Sequence, residues 1–198
     1  MEQWAKSIAG WFQANMELDE DKTEVIEYSL ISLFLLLFTL LLIIAICWIL
    51  GVLREGLTAA LTMAILRSVT GGAHLGSPWR CVIVSTILPA GFGYLSRHFA
   101  SFIPERAMLC FLIILLIWGL YYIIRYAPVE SEAKPIRPER RFIYRRLGIG
   151  IAIVWAVLAF VLLYFKANGI LLASICAFAW QILTLTPCGF QIYNQLSQ

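Results

Sequence analysis

Long apolar runs separated by short charged breaks set the pattern of this chain. Tyr28 to Leu53 carries no charge, and about 20 apolar residues cover the hydrocarbon core of a bilayer, so this run predicts a first transmembrane helix. Arg54-Glu55 then marks a turn. Gly56 to Leu66 follows as an uncharged run that is short for a span. Either Val69 and Thr70 extend it, the bilayer thins locally, or the segment is half-buried and ends at the polar break that follows. Val82–Ser96 contains Pro89 and two glycines and predicts a kinked helix. Ala107–Ile124, Leu147–Phe165 and Gly169–Thr186 are three further runs of spanning length. The pattern as a whole predicts an all-α, polytopic membrane protein of about six transmembrane helices.

The first residues follow a different period. Trp4, Ile8, Trp11 and Phe12 recur at i, i+4, i+7 and i+8, while Glu2, Lys6 and Gln13 fall largely elsewhere. That arrangement predicts an N-terminal amphipathic helix lying in the membrane interface, with docking of an amphipathic substrate leader as the functional alternative. An acidic run at Glu17, Asp19, Glu20 and Asp21 reads as a solvated linker. Residues 1–24 are thus expected to stand apart from a transmembrane domain over 25–198.

Composition narrows the class. Hydrophobic residues are 61% and charged residues 14% of the chain, with mean hydropathy +0.83, whereas soluble domains average roughly 45–50% and 25%. The N-terminus lacks a basic region followed by an apolar core, so no cleavable signal is expected. Lys and Arg are densest in a loop over 125–146, at Arg125, Lys134, Arg137, Arg140, Arg141, Arg145 and Arg146, which the positive-inside rule makes cytoplasmic. Counting spans from there puts Cys81, at the opening of the third, on the cytoplasmic side. The five cysteines have no C-x-x-C spacing, which argues against a zinc site or a disulfide framework. There is no HExxH, P-loop or Rossmann pattern. No metal, cofactor or nucleic-acid partner is expected.

Candidate chemistry concentrates in Arg67 to Cys81, R-S-V-T-G-G-A-H-L-G-S-P-W-R-C, which interrupts the apolar sequence. On one continuous helix His74 and Cys81 would lie ~10 Å apart along the axis, too far for a base that must approach its nucleophile to ~3 Å. The sequence supplies the break. Gly71-Gly72 can end one helix, Gly76 can turn the chain, and Pro78 drives Ser77 out of the helical region. Ser77 then reads as an N-cap and Pro78 as the first helical residue, which puts Cys81 in the first turn of the next helix. Unpaired N–H groups there, with Arg80 and Arg67 nearby, favour a thiolate. Each part also has a plainer reading: an interfacial histidine, a cysteine as a small hydrophobe, a glycine pair for close packing. His98 has no neighbouring nucleophile and reads as interfacial, as does Cys188; Cys47, Cys110 and Cys176 read as packing residues.

The pattern Arg67-x3-Gly71-Gly72-x-His74-x6-Cys81 resembles the core motif of the accessory gene regulator B (AgrB) family of membrane cysteine endopeptidases that process quorum-sensing propeptides. Tyr126-Ala127-Pro128 with Glu132-x-Lys134-Pro135-Ile136 is similar to that family's cytoplasmic loop, and Thr184-Leu185-Thr186-Pro187 to its ending. Leu75 departs from the pattern, where many members carry a small residue. The resemblance implies a Cys81 nucleophile with His74 as base, cleavage of the C-terminal tail of an AgrD-like propeptide through a Cys81 thioester, and cyclisation to a thiolactone or lactone. It implies a bacterial cytoplasmic membrane location and a homodimer. Backbone N–H groups around Gly72 or the helix start at Ser77, with Arg67, are the oxyanion candidates. Lys134, Arg137, Arg140 and Arg141 are candidates for binding an acidic substrate tail. The rival is a non-enzymatic small transporter or scaffold, in which the Gly-Gly-x-His break is a helix junction or substrate path.

Overall fold

A chain this apolar must satisfy its backbone N–H and C=O groups internally, and helices do so within one segment. In the computed structural model, residues 2–16, 19–73, 77–129 and 138–197 are described. They form α1 (Glu2–Met16), α2 (Glu20–Ile49), α3 (Leu53–Thr70), α4 (Pro78–Phe99), a 3-10 turn (Ala100–Phe102), α5 (Glu105–Tyr126), α6 (Pro138–Tyr164), α7 (Asn168–Leu183) and α8 (Pro187–Ser197). The all-helical expectation holds. Two boundaries differ from the apolar pattern. Gly51, at φ +69°, turns the chain before Leu53, so the first long helix stops at Ile49. The fifth run begins well ahead of Leu147, because Arg140, Arg141, Arg145 and Arg146 continue the helix that starts at Pro138.

Among the described residues, three helices are long and apolar enough to cross a membrane: α2 over Lys22–Ile49, α5 and α6. The count is four if α7 and α8, bent by 91° at their junction, make one broken span. Helix α3 is 18 residues long and contains Arg54, Glu55 and Arg67, so no window of spanning length within it is weakly charged. Of the about six spans that the pattern predicts, three or four meet this test of length and composition among the described residues.

Two units make up the chain, Met1–Leu42 and Ile43–Gln198. In the first, α1 is followed by the start of α2, and Lys6 approaches Glu27 at 4.0 Å. Trp4 and Trp11 are exposed, and Ala9 is buried. In the second, α3 lies chiefly against α7 and α4, and α5 against α6 and α7. Small residues bring these backbones together. A Cβ on Gly93 would stand 2.8 Å from the Gly56 nitrogen, so α3 and α4 touch main chain to main chain, and Ala59, Ala173 and Ala177 meet between α3 and α7. Larger groups fill the other side, where Trp155 stacks on Phe178 at 3.9 Å beside Leu112, Ile123 and Leu171. The packed helices leave the ends of α3 and α7 and the start of α4 close together, at the polar break.

Candidate active site

Helix α3 ends where the glycines require it to. Gly71 donates its N–H to the Arg67 carbonyl at 3.0 Å and adopts φ +69°, and Gly72 follows at φ +140°. Neither angle suits a residue with a Cβ. Space is also missing: a Cβ on Gly71 would collide with the Val129 carbonyl, and one on Gly72 would come within 2.6 Å of Thr184 Oγ1.

The extended strap Gly71–Gly72–Ala73 is held from both sides. The Ala73 N–H donates to the Thr184 carbonyl at 3.2 Å, and Arg67 Nη2 donates to the Ala73 carbonyl. Gln181 Nε2 donates to the Gly71 carbonyl at 2.8 Å and to Thr70 Oγ1 at 3.2 Å. Thr184 lies in the break between α7, which stops at Leu183, and α8, which starts at Pro187, where the Ile182 and Leu183 carbonyls accept from Leu185 and Thr186 and the Thr184 carbonyl accepts from Ala73. On the opposite side, the Val129 N–H donates to the Thr70 carbonyl at 2.9 Å, and Arg145 Nε donates to the Ala127 carbonyl at 3.0 Å. The Ala127–Pro128 peptide bond is cis.

After the strap, His74, Leu75 and Gly76 lie outside the described residues, and the chain is described again from Ser77. Ser77 is the N-cap residue of α4 in extended conformation, φ −126° and ψ 132°, with Pro78 in the first turn, though its side chain makes no cap bond. The Cys81 N–H donates to the Ser77 carbonyl at 3.1 Å, which puts the thiol on the first turn. Cys81 is half-buried, and its Sγ lies 4.0 Å from Ser85 Oγ. One turn further, Val84 joins Ala73, Trp180, Phe190 and Tyr193 in an apolar cluster. A half-buried thiol on the first turn of a helix is a candidate nucleophile.

Of the residues singled out from sequence, Arg67, Gly71 and Gly72 come together in the strap, and Ser77 and Cys81 lie on the turn that opens α4. Lys134 and Arg137 fall outside the described residues. Arg140 and Arg141 are exposed on the first turns of α6, whose Arg145 reaches the segment bonded to Thr70. Thr70, Gln181 and the Thr184 carbonyl are the contributors that the motif pattern does not announce. Gln181 carried a signal, since it is a buried amide inside an otherwise apolar run, and such groups in membrane helices tend to have a partner with a task. Its partners, more than a hundred positions away, could not be read from periodicity.

The profile of the family described as Accessory gene regulator B matches residues 5–185. AgrB-like protein 2 of Clostridium perfringens is 28% identical over 199 residues, covering 96% of this chain and 92% of that protein. An AgrB-like protein of Halalkalibacterium halodurans is 26% identical over 201 residues, covering 100% and 93%. The protein FsrB of Enterococcus faecalis is 26% identical over 139 residues, covering 66% and 54%. No solved structure matches the chain.

Proposed function

The chain belongs to the accessory gene regulator B family, and we propose that it is a membrane-embedded cysteine endopeptidase that removes the C-terminal tail of a quorum-sensing propeptide and promotes its cyclisation. His74 takes the proton from Cys81 Sγ, and the thiolate adds to a backbone carbonyl of the substrate. The C–N bond then breaks, the imidazolium returns the proton to the leaving amine, and the tail departs. The remaining acyl group is a thioester on Cys81. An internal thiol or hydroxyl of the propeptide attacks that thioester, expels the Cys81 thiolate and closes a thiolactone or lactone ring. Exchange of one activated ester for another conserves the bond energy that hydrolysis would discard.

The observation that carries this reading is the break between α3 and α4, where an anchored strap runs up to position 74 and a half-buried thiol sits in the first turn of the next helix. The oxyanion formed on addition would be met by backbone N–H groups at Gly72 or the start of α4, with Arg67 supplying positive charge. Arg67 already donates to Ala73, and a guanidinium has five N–H groups to distribute. The basic start of α6 supports a cytoplasmic site by the positive-inside rule, since Arg145 and Val129 tie that end to α3. Arg140 and Arg141, with Lys134 and Arg137, would hold an acidic tail. The partners are then an AgrD-like propeptide, the bilayer and, through the exposed apolar helix faces, a second copy of the chain.

The 91° bend between α7 and α8 favours one alternative, a small transporter or scaffold, because broken helices line transport paths. Co-expression with the cognate propeptide, mass analysis of the products and trapping of the acyl group on Cys81 decide between them. Tail release with a Cys81 adduct supports the peptidase. Unprocessed propeptide and no adduct, with the protein correctly inserted, would leave the transporter.

A further inference from the structure

A groove of about 550 Å³ runs between α3 and α6. Ile65 stands on the α3 side and Phe142, Leu147, Gly150 and Val154 on the α6 side, with Arg146 as the one charged side chain of the lining. Gly150 keeps the groove open, since a Cβ there would meet nothing within 4 Å. Gly148 lies on the packed side of the same helix, where a Cβ would stand 3.3 Å from Thr70 Cγ2. The groove therefore borders the contact between α3 and α6 without being closed by it.

Its place along α6 sets its depth in the bilayer. From Phe142 to Val154 the helix rises ~18 Å, and the uncharged run of α6 begins at Leu147. The groove thus starts at the basic end of the helix and enters one leaflet, whose hydrocarbon half is ~15 Å deep. Width then decides among occupants. A volume of 550 Å³ spread over ~18 Å leaves a mean cross-section of ~30 Å². A helix ~10 Å across needs ~80 Å² and would stand mostly outside. An extended peptide would lay its amide groups against a wall whose one polar side chain is Arg146, and each unpaired group would cost free energy. A hydrocarbon chain is thin and carries no such groups.

The basic end selects the headgroup. Arg146 lays its guanidinium over the Phe142 ring, 4.0 Å from the centroid. Stacking uses the face of the guanidinium, and its N–H groups lie in the plane, where they can grip a phosphate at two points. We propose that this groove is a binding site for one anionic phospholipid, with an acyl chain lying along α6 between Ile65 and Gly150 and its phosphate on Arg146. The site is local to the groove and differs from the diffuse attraction that any basic surface exerts on an anionic leaflet. It is independent of the chemistry at Cys81.

The test is native mass spectrometry of the full-length protein, purified in detergent and stripped of lipid, then titrated with palmitoyl-oleoyl phosphatidylglycerol or with the phosphatidylcholine of the same chains. The first phosphatidylglycerol is expected to bind about fivefold more tightly than the first phosphatidylcholine, the margin that one basic residue supplies at a membrane surface. Arg146→Gln should remove that margin and leave phosphatidylcholine binding unchanged. Arg140→Gln, at an exposed position of the same helix outside the groove, should keep the margin. Gly150→Leu fills the groove and should weaken the first site more than tenfold for both lipids. Equal affinity for the two lipids in the parent overturns the proposal, as does parental binding by Gly150→Leu. Equal losses of preference in Arg140→Gln and Arg146→Gln would assign the preference to diffuse charge and overturn it too. If Gly150→Leu does not insert, Val154→Trp blocks the same groove from an exposed position, and parental binding there has the same meaning. Loss of dimers in Gly150→Leu beside an unchanged lipid titration would assign the groove to a second copy of the chain instead.

Discussion

Val129 donates its backbone N–H to the carbonyl of Thr70 at 2.9 Å, which joins the segment entering the basic region to the residue where α3 ends. The turn before the basic cluster and the strap before the candidate base are therefore one hydrogen-bonded unit. A substrate tail gripped by the basic residues would be held at a fixed reach from Cys81.

From that follows a charge-reversal test. Arg140→Glu with Arg141→Glu is expected to weaken propeptide processing through substrate binding, raising KM several-fold while leaving membrane insertion and Cys81 alkylation intact. Added salt should reproduce the defect in the parent protein, because exposed charges are screened over ~8–10 Å at moderate ionic strength. Basic substitutions in the acidic tail should restore part of the rate. Processing at the parental rate by the reversed protein would reduce these arginines to lipid anchors, a role each basic residue can fill at about 1 kcal/mol.

Nucleophile assignment is tested by single replacements. Cys81→Ala should abolish tail release and the trapped acyl adduct, and His74→Ala should do nearly the same. Cys47→Ala, Cys110→Ala and Cys176→Ala should leave processing within a few-fold of the parent. Mass analysis of co-expressed propeptide reads all five, and cleavage by an inserted Cys81→Ala protein would rule out the thioester route.

Gly72→Ala probes the strap. At φ +140° an alanine is strained by roughly 1–3 kcal/mol, and its Cβ would stand 2.6 Å from Thr184 Oγ1. Processing should fall more than tenfold. Thr184→Ala in the same chain should not restore it, because removing the hydroxyl relieves the clash and leaves the backbone strain. Full recovery in the double variant would mean that crowding alone requires a glycine there.

Sidedness can be measured directly. In a chain whose only cysteines are Cys81 and one introduced at the exposed Ser101, a membrane-impermeant thiol reagent added to intact cells should label position 101 and spare Cys81. Labelling of Cys81 from outside would invert the orientation drawn from the basic cluster.

Several features were fixed by local chemistry and could be read from the chain directly. Apolar runs without water must become helices, Gly71-Gly72 must end one, and Ser77-Pro78 must begin another, because these depend on the residues at the positions themselves. The placement of Cys81 in a first turn follows from the same local rules. Length was less legible. The basic residues of α6 continue a helix that hydropathy alone starts at Leu147, since Arg is a good helix former whatever its polarity. What tertiary structure alone decided is the company the strap keeps. Gln181 and Thr184 reach Gly71, Gly72 and Ala73 from over a hundred positions away, and Val129 reaches Thr70 from the far side of α4 and α5. Hydropathy records which residues leave water and has no means of pairing them. The partners of a buried amide are chosen by how α3 and α7 pack, and the small residues at that crossing act only once both helices are present.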